Sequence, residues 1–592
     1  MYRTLVCCIS VFAILSVSFS QNQPCGMTGT SSPSSQVGGR YKPSTGTFKV
    51  LVIYAQFSDD NTDISNPNWV QGQAPTFMNG TIDSTWSSNP TSGSMTDYFN
   101  QMSFNKLKII GKTVSIIMPR SMQYYINWNI TSTYEMNKRA IETADAQVNY
   151  AEFDNWTYNG EYSHSNVADG NVDMIFVVWR NSNPNLGLWS GLSHLNGYTT
   201  NYLPFTVEGG TKTIQTGFEV GSGVTIVNGY TGFGNVLRWM NHELGHRFFG
   251  GNNHHGTLGT WALLDGSGTP SGCINTYERE KLGWINVYTI DPASYSDPTT
   301  IYITLSDFIT TGMAYRIKIP GGGTDEYYIL ENHQRISQFD VPDNSSSVKG
   351  VFVLRQTADI GSAVSVITAD GRYDWSVPYT LPNIYGSNPA EIPVFLRGSA
   401  NRVSGYNHRQ FIPWTLGGIQ QTPASIHYQL VNGVVVQAGV NGNPAVFTGN
   451  GKDQFDLTNN SVFTPSGNPS SDIYGNANKI GFEVTGITAQ GIATLDVFIN
   501  NVIDAAPSSP QNVSVGVYGR TRFNPGVAQV SWSANAESDI ASYEIYRSVG
   551  GPGVPTFLGS VSSSQLNYID NGATIGTGMM VYYVMLQLEY DF

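Results

Sequence analysis

Phe233-Gly-Asn-Val-Leu-Arg-Trp-Met-Asn-His242-Glu243-Leu-Gly-His246-Arg-Phe-Phe249 is the most strongly patterned stretch of this 592-residue chain. Val236, Leu237, Met240, Leu244 and Phe248 recur at three- and four-residue spacing, which predicts one helix over 233–249 with a single apolar side. Gly250-Gly251 ends it, because glycine readily takes the left-handed conformation that closes helices. His242 and His246 stand four residues apart, so their imidazoles project from one face about one turn apart and can reach a single ion at ~2.0–2.1 Å. Glu243 projects beside them, placed to accept a proton from a water that the ion polarises. The pattern points to a single catalytic Zn2+ and a hydrolytic reaction, with peptide bonds as its natural substrate.

Such a site commonly has three protein ligands and one open position, so a third donor is needed after the helix. Asn252, Asn253, His254 and His255 follow the glycine pair, and a chain reversing there returns one imidazole to the metal. His254 is the favoured third ligand, His255 the alternative, and Asn252 or a more distant acid remain behind them; adjacent histidines point different ways, so only one of the pair binds. Tyr277 is a candidate hydrogen-bond donor to the transition state, with packing as its plainer role. His164, His194, His333, His408 and His427 are isolated in sequence and read as surface or hydrogen-bonded residues. Asp169, Asn171 and Asp173 alternate oxygen donors in a pattern that suits Ca2+, yet a full twelve-residue ligand loop is lacking, and a simple turn is the plainer reading.

Upstream, Lys49-Val50-Leu51-Val52-Ile53-Tyr54-Ala55 is a continuous run rich in β-branched residues, the mark of a strand buried on both faces. Residues 94 to 102 read as a short helix opened by Ser94, followed by a strand through Leu107, Ile109 and Val114. Ser132 to Val148 reads as a second helix and Val172 to Trp179 as another buried strand. Strands alternating with helices imply an α/β layer. From about Ile301 to about Asn500 short strands are separated by Gly, Pro, Asn and Ser clusters, which suggests one or two β-sandwich domains.

At the amino terminus one cation, Arg3, precedes an apolar run from Leu5 to Val17 and then Ser18-Phe19-Ser20, the order of a secretory signal peptide cleaved after Ser20. The run is shorter than the ~20 residues a bilayer span needs. The expected organisation is therefore a signal peptide at 1–20, an irregular leader or short propeptide at 21–47, an α/β zinc metallopeptidase catalytic domain at 48–300, an all-β sandwich region at 301–503, and a last β module at 504–592, all in a secreted, extracellular protein. The formal charge of −13 becomes −14 once Arg3 is lost. That acidity argues against nucleic acid, which demands clustered Lys and Arg. Cys25 and Cys273 remain in the mature chain, either bridged or both free; a free Cys25 could also ligate zinc in a latent form.

The ordered set of motifs resembles the immune inhibitor A-like secreted bacterial metallopeptidases, which are related to the metzincins. It comprises Val50-Leu-Val-Ile-Tyr-Ala-Gln-Phe-Ser-Asp, Ser94-Met-Thr-Asp-Tyr-Phe-Asn-Gln-Met-Ser-Phe, Asp169-Gly-Asn-Val-Asp173, the histidine helix, Gly259-Thr-Trp-Ala-Leu-Leu-Asp-Gly-Ser-Gly, Tyr277-Glu-Arg-Glu-Lys-Leu-Gly-Trp-Ile and Tyr327-Tyr-Ile-Leu-Glu-Asn-His-Gln-Arg. The resemblance spans roughly residues 48 to 360 and implies a multi-domain chain with a zincin-like catalytic domain. It departs at two points. The metzincin glycine and third ligand would fall on Phe249 and Asn252, and Leu263-Leu264 stands where the family puts a methionine beneath the metal; leucine can supply that apolar floor. The last module resembles fibronectin type III domains, which implies binding to a cell surface or matrix through the C-terminal β domains. A competing expectation is a catalytically inactive peptidase-like adhesin or carbohydrate-binding protein. Retention of Glu243 between the histidines argues against it.

Overall fold

The computed structural model describes residues 34–60, 66–88, 92–188, 191–196, 203–251, 261–264, 273–340, 349–367 and 369, short segments between 414 and 471, and most of 480–588. Two compact units emerge: Met1–Thr464 with Asn468–Asn501, and Val502–Phe592 with Pro465–Gly467.

The first unit is built on β1 (Gly46–Gln56), whose alternate residues point to opposite faces. Phe48, Val50, Val52 and Tyr54 enter one core together with α1 (Met95–Met102) and α4 (Phe233–Phe249), whereas Leu51, Ile53 and Ala55 enter another with α3 (Thr133–Ala144). This two-sided burial is why the run carries no polar alternation. β2 (Leu107–Ile117), β5 (Ile175–Trp179) and β8 (Gly223–Ile226) complete a parallel sheet in the order β2-β1-β5-β8. Ser94 and Ser132 cap α1 and α3 by accepting the N–H of Asp97 and Glu135, the bonds their side chains suit. A short helix α2 (Met122–Asn127) and the hairpins β3 (Thr157–Gly160) with β4 (Ser163–Ser165) and β6 (Phe205–Val207) with β7 (Lys212–Ile214) fill the connections.

After α5 (Thr276–Lys281), a five-stranded sheet runs β14 (Val364–Ile367), β13 (Gly350–Gln356), β12 (Tyr327–His333), β11 (Ala314–Lys318) and β9 (Tyr288–Ile290). It has one face in each of two cores. Ile329, Phe352 and Leu354 join the core that holds α4, while Tyr328, Leu330, Val351 and Val353 face a second, four-stranded sheet. That sheet orders β10 (Thr299–Leu305), β23 (Ala493–Ile499), β22 (Ile480–Ile487) and β21 (Val462–Phe463). α6 (Phe308–Thr311) bridges β10 to β11, and β15–β20, six short strands between Trp414 and Gly449, pair two by two. Residue 300, the expected division, lies inside β10, and the shared middle layer lends one face to each core.

The second unit stacks two three-stranded antiparallel sheets, β24 (Ser514–Tyr518), β25 (Val527–Ser531) and β28 (Asn567–Thr574) in one, β27 (Thr556–Ser562), β26 (Ile540–Val549) and β29 (Met580–Leu588) in the other. Val530, Trp532, Tyr543 and Ile545 form its core. Among the described residues no helix is long and apolar enough to cross a membrane.

The described part of the leader, from Ser34 to Thr45, has no regular secondary structure, yet Gly39–Ser44 are buried. Arg40 and Tyr41 donate their N–H groups to the carbonyls of Phe248 and Arg247 at 2.9 Å each, satisfying oxygens that the end of α4 leaves open.

Candidate functional site

α4 follows the edge strand β8 after a connection that contains a 3-10 turn at Gly229–Thr231, and lays Val236, Leu237, Met240, Leu244 and Phe248 against the core. It ends at Gly250, whose φ of 108° lies in the left-handed region, while the Gly250 N–H closes the last turn on the His246 carbonyl at 2.8 Å. His242, Glu243 and His246 are 2%, 0% and 0% exposed. The two imidazoles have ring centroids 5.0 Å apart and cross at 83°, and Trp239 meets His242 edge-on at 5.7 Å. His246 Nδ1 lies 2.8 Å from the Gly250 carbonyl oxygen. A carbonyl only accepts, so this bond protonates Nδ1 and leaves Nε2 as the lone-pair donor, the arrangement that orients histidines in metal sites.

The helix has an apolar floor. A Cβ on Gly245 would lie 2.7 Å from Leu264 Cδ2 and 3.0 Å from Leu263 Cγ, so the absence of a side chain at 245 lets both leucines press against the middle of the motif. Their backbone is held by Glu278, whose carboxylate accepts the Leu263 N–H at 3.0 Å, and by Asn275, whose amide donates to the Trp261 carbonyl at 2.7 Å. Asn275 also caps α5 by accepting the Glu278 N–H at 3.1 Å. Burial pushes the Glu278 carboxyl up to about 8, against the bonds from Leu263, Leu264 and Asn275 that favour its charged form. Glu278 is a support that sequence reasoning missed; its place three residues after Asn275 is the one local signal, that of a helix amino terminus.

Arg247, next to His246, is wholly buried. Its Nη2 donates to the Gly223 carbonyl at 2.8 Å and its guanidinium lies 5.2 Å over the Phe218 ring. Burial lowers its pKa to about 9, opposed by the negative charge of Glu243 and by Tyr41.

The favoured third ligand His254, its alternative His255, and Asn252 lie outside the described residues, as do Cys25, His408 and His427. Tyr277 is buried on α5 and lines a small cavity with Phe248, Phe249, Lys281 and Asp359 at the carboxyl end of α4. Burial, reinforced by Asp359, pushes its hydroxyl pKa up. Asp169, Asn171 and Asp173 spend their oxygens separately: Asp169 accepts the Asn171 N–H, Asn171 the Gln215 amide, and Asp173 the N–H groups of Asn155 and Trp156. The segment is a turn braced by side chains. His164 and His194 are partly to largely buried, and burial drives both down to about 4.

His333 is the isolated histidine with the most consequential surroundings. It is buried on β12, stacked on Trp261 at 3.8 Å and 6°, with Nδ1 3.1 Å from an Asp340 oxygen and Nε2 3.0 Å from Glu331. Arg335 pairs with the same Asp340 at 2.7 Å, and the free thiol of Cys273 points at it from 3.8 Å. Burial lowers the His333 pKa, but Asp340 and Glu331 outweigh it and raise it above the ordinary histidine value. Cys273, His333 and Asp340 offer ligand atoms all within 4.8 Å of one another, a buried group able to hold a metal ion. As they stand, both ring nitrogens are committed to carboxylates and Asp340 is shared with a guanidinium, so the charges already balance.

No protein-family model matches the chain, and no curated protein matches it. The functional reading therefore rests on the geometry and on the sequence motifs.

Proposed function

We propose that the chain is a secreted zinc-dependent endopeptidase with a zincin-like catalytic domain. The observation that carries this reading is the convergence on one buried helix of two imidazoles one turn apart, the second with its Nδ1 already fixed by Gly250, beside the Glu243 carboxylate. That donor set fits zinc: two imidazoles on one face, a carbonyl behind one of them, and leucines beneath. His242 and His246 hold the ion, with His254 as the third ligand and His255 in reserve. When bound, zinc supplies a Lewis acid that polarises the scissile carbonyl and makes the attacking water more acidic. Glu243 accepts the proton of that water and later delivers it to the leaving amine. The buried setting of Glu243 excludes bulk water from this transfer, and Arg247 one turn away stabilises the carboxylate form. The second unit, read as a fibronectin type III-like module, serves surface or substrate attachment.

Casein hydrolysis by the purified full-length protein tests the reading. Activity is expected to disappear with a chelator, return with added zinc, and fall by roughly 10²–10⁴-fold in Glu243→Gln. Equal activity in all samples, or none in any, would count against a peptidase and favour a binding protein.

A further inference from the structure

We propose that Gly191 is a positioning residue for Glu243: its bare α-carbon is the surface against which the carboxylate rests. The inference depends on the peptidase reading and deepens it.

A Cβ built on Gly191 would lie 2.7 Å from Glu243 Oε1, 3.6 Å from its Cδ and 3.8 Å from Trp239 Cε3. No real Cβ sits that close to an oxygen. The backbone does not require glycine here, because the φ of Gly191 lies outside the left-handed region. Space for the carboxylate is therefore what the missing side chain provides.

The segment cannot back away. Leu192 and Thr225 exchange both backbone hydrogen bonds, at 2.9 and 2.8 Å, which fastens it antiparallel to β8. The Thr225 hydroxyl donates to the His194 carbonyl at 3.0 Å. Asn137 donates to the Leu195 carbonyl at 2.9 Å and to Thr225 Oγ1 at 2.8 Å, and is itself held by the Trp179 indole N–H at 3.0 Å. Asn137, Ser193 and Thr225 are fully buried. On the other side, α4 is fixed by its core. Between these two walls, the group that a methyl at 191 meets is the end of the Glu243 side chain. A methyl group at 191 thus leaves the fold intact and displaces the base. Catalytic groups need placement within ~0.5 Å, and a ~1 Å error costs on the order of 10²-fold.

The test is Gly191→Ala in the full-length protein, with three readouts. Expected are a kcat lower by on the order of 10²-fold with KM, zinc content and thermal midpoint unchanged, and a crystal structure in which the Glu243 carboxylate has turned away from residue 191. Glu243→Asp, one methylene shorter, makes room for the methyl, so Gly191→Ala should cost far less in that background than in the wild type. An unmoved carboxylate, an unchanged kcat, loss of zinc, or an equal cost in both backgrounds would each overturn the proposal. A wild type that binds zinc but cleaves no peptide would sink the peptidase reading instead, and the position of the carboxylate would still decide the steric claim.

Discussion

His246 donates its Nδ1 proton to the carbonyl of Gly250, four residues on, at 2.8 Å. The residue that ends the helix therefore also sets the tautomer of a histidine proposed to bind the metal. Gly250 combines φ 108° with ψ −142°, a conformation that side chains resist. Gly250→Ala is expected to cost about 1–3 kcal/mol of stability and to weaken zinc binding by roughly 10–100-fold. Denaturant melts and competition with a metallochromic chelator would measure the two effects; retention of full affinity would show that the carbonyl plays no part in orienting the ring.

The leucine floor beneath Gly245 makes a packing prediction. Leu264→Ala removes a fully buried side chain and should destabilise by about 2–5 kcal/mol. Gly245→Ala acts in the opposite direction, forcing a methyl into Leu264, and should cost about 1–3 kcal/mol. In the double variant the new methyl occupies part of the vacated space, so the combined loss should be smaller than the sum of the two single losses. Strict additivity in urea titrations would mean the floor is not where these contacts place it.

Glu278 gives a pH dependence with a definite sign. Its folded pKa of about 8 exceeds the ordinary carboxylate value, so the folded state holds the proton more tightly than the unfolded chain. Its contribution is fully present below the ordinary carboxylate pKa and is lost as pH rises through about 8. Glu278→Gln is expected to flatten that decline. A decline of the same size in wild type and variant would place the titration elsewhere.

His333 joins Glu331 and Asp340, one carboxyl at each ring nitrogen, in a fully buried cluster. His333→Ala leaves both carboxylates with too little positive charge and should cost about 3–5 kcal/mol, while Glu243-dependent hydrolysis per folded molecule stays as it was. A loss below ~1 kcal/mol, the range of an exposed pair, would show the network to be inert.

What the sequence made legible was local. The bounds of α4 follow from its apolar spacing and from Gly250, the two-sided burial of β1 follows from Val50–Ala55, and the cap of α1 follows from Ser94. His242, Glu243 and His246 were readable because four residues make about one helical turn. Relationships between distant segments were not. Glu278 beneath the motif, Gly191 against Glu243, and Cys273 beside a histidine sixty residues later depend on how sheets and loops close. The leader looked structureless because it lacks apolar periodicity, yet its backbone is tied to the end of α4 through hydrogen bonds that no side-chain pattern encodes. The alternation of β12 and β13 between two cores is likewise not encoded in short strands separated by Gly, Pro, Asn and Ser clusters.

The central claim is that His242 and His246 hold one zinc ion. Elemental analysis of the purified, zinc-equilibrated full-length protein tests it most directly, beside His242→Ala and His246→Ala variants checked for folding. One zinc per wild-type chain, lost in both variants while the fold persists, is the expected result; a wild type without zinc, or variants that keep it in full, would contradict the claim.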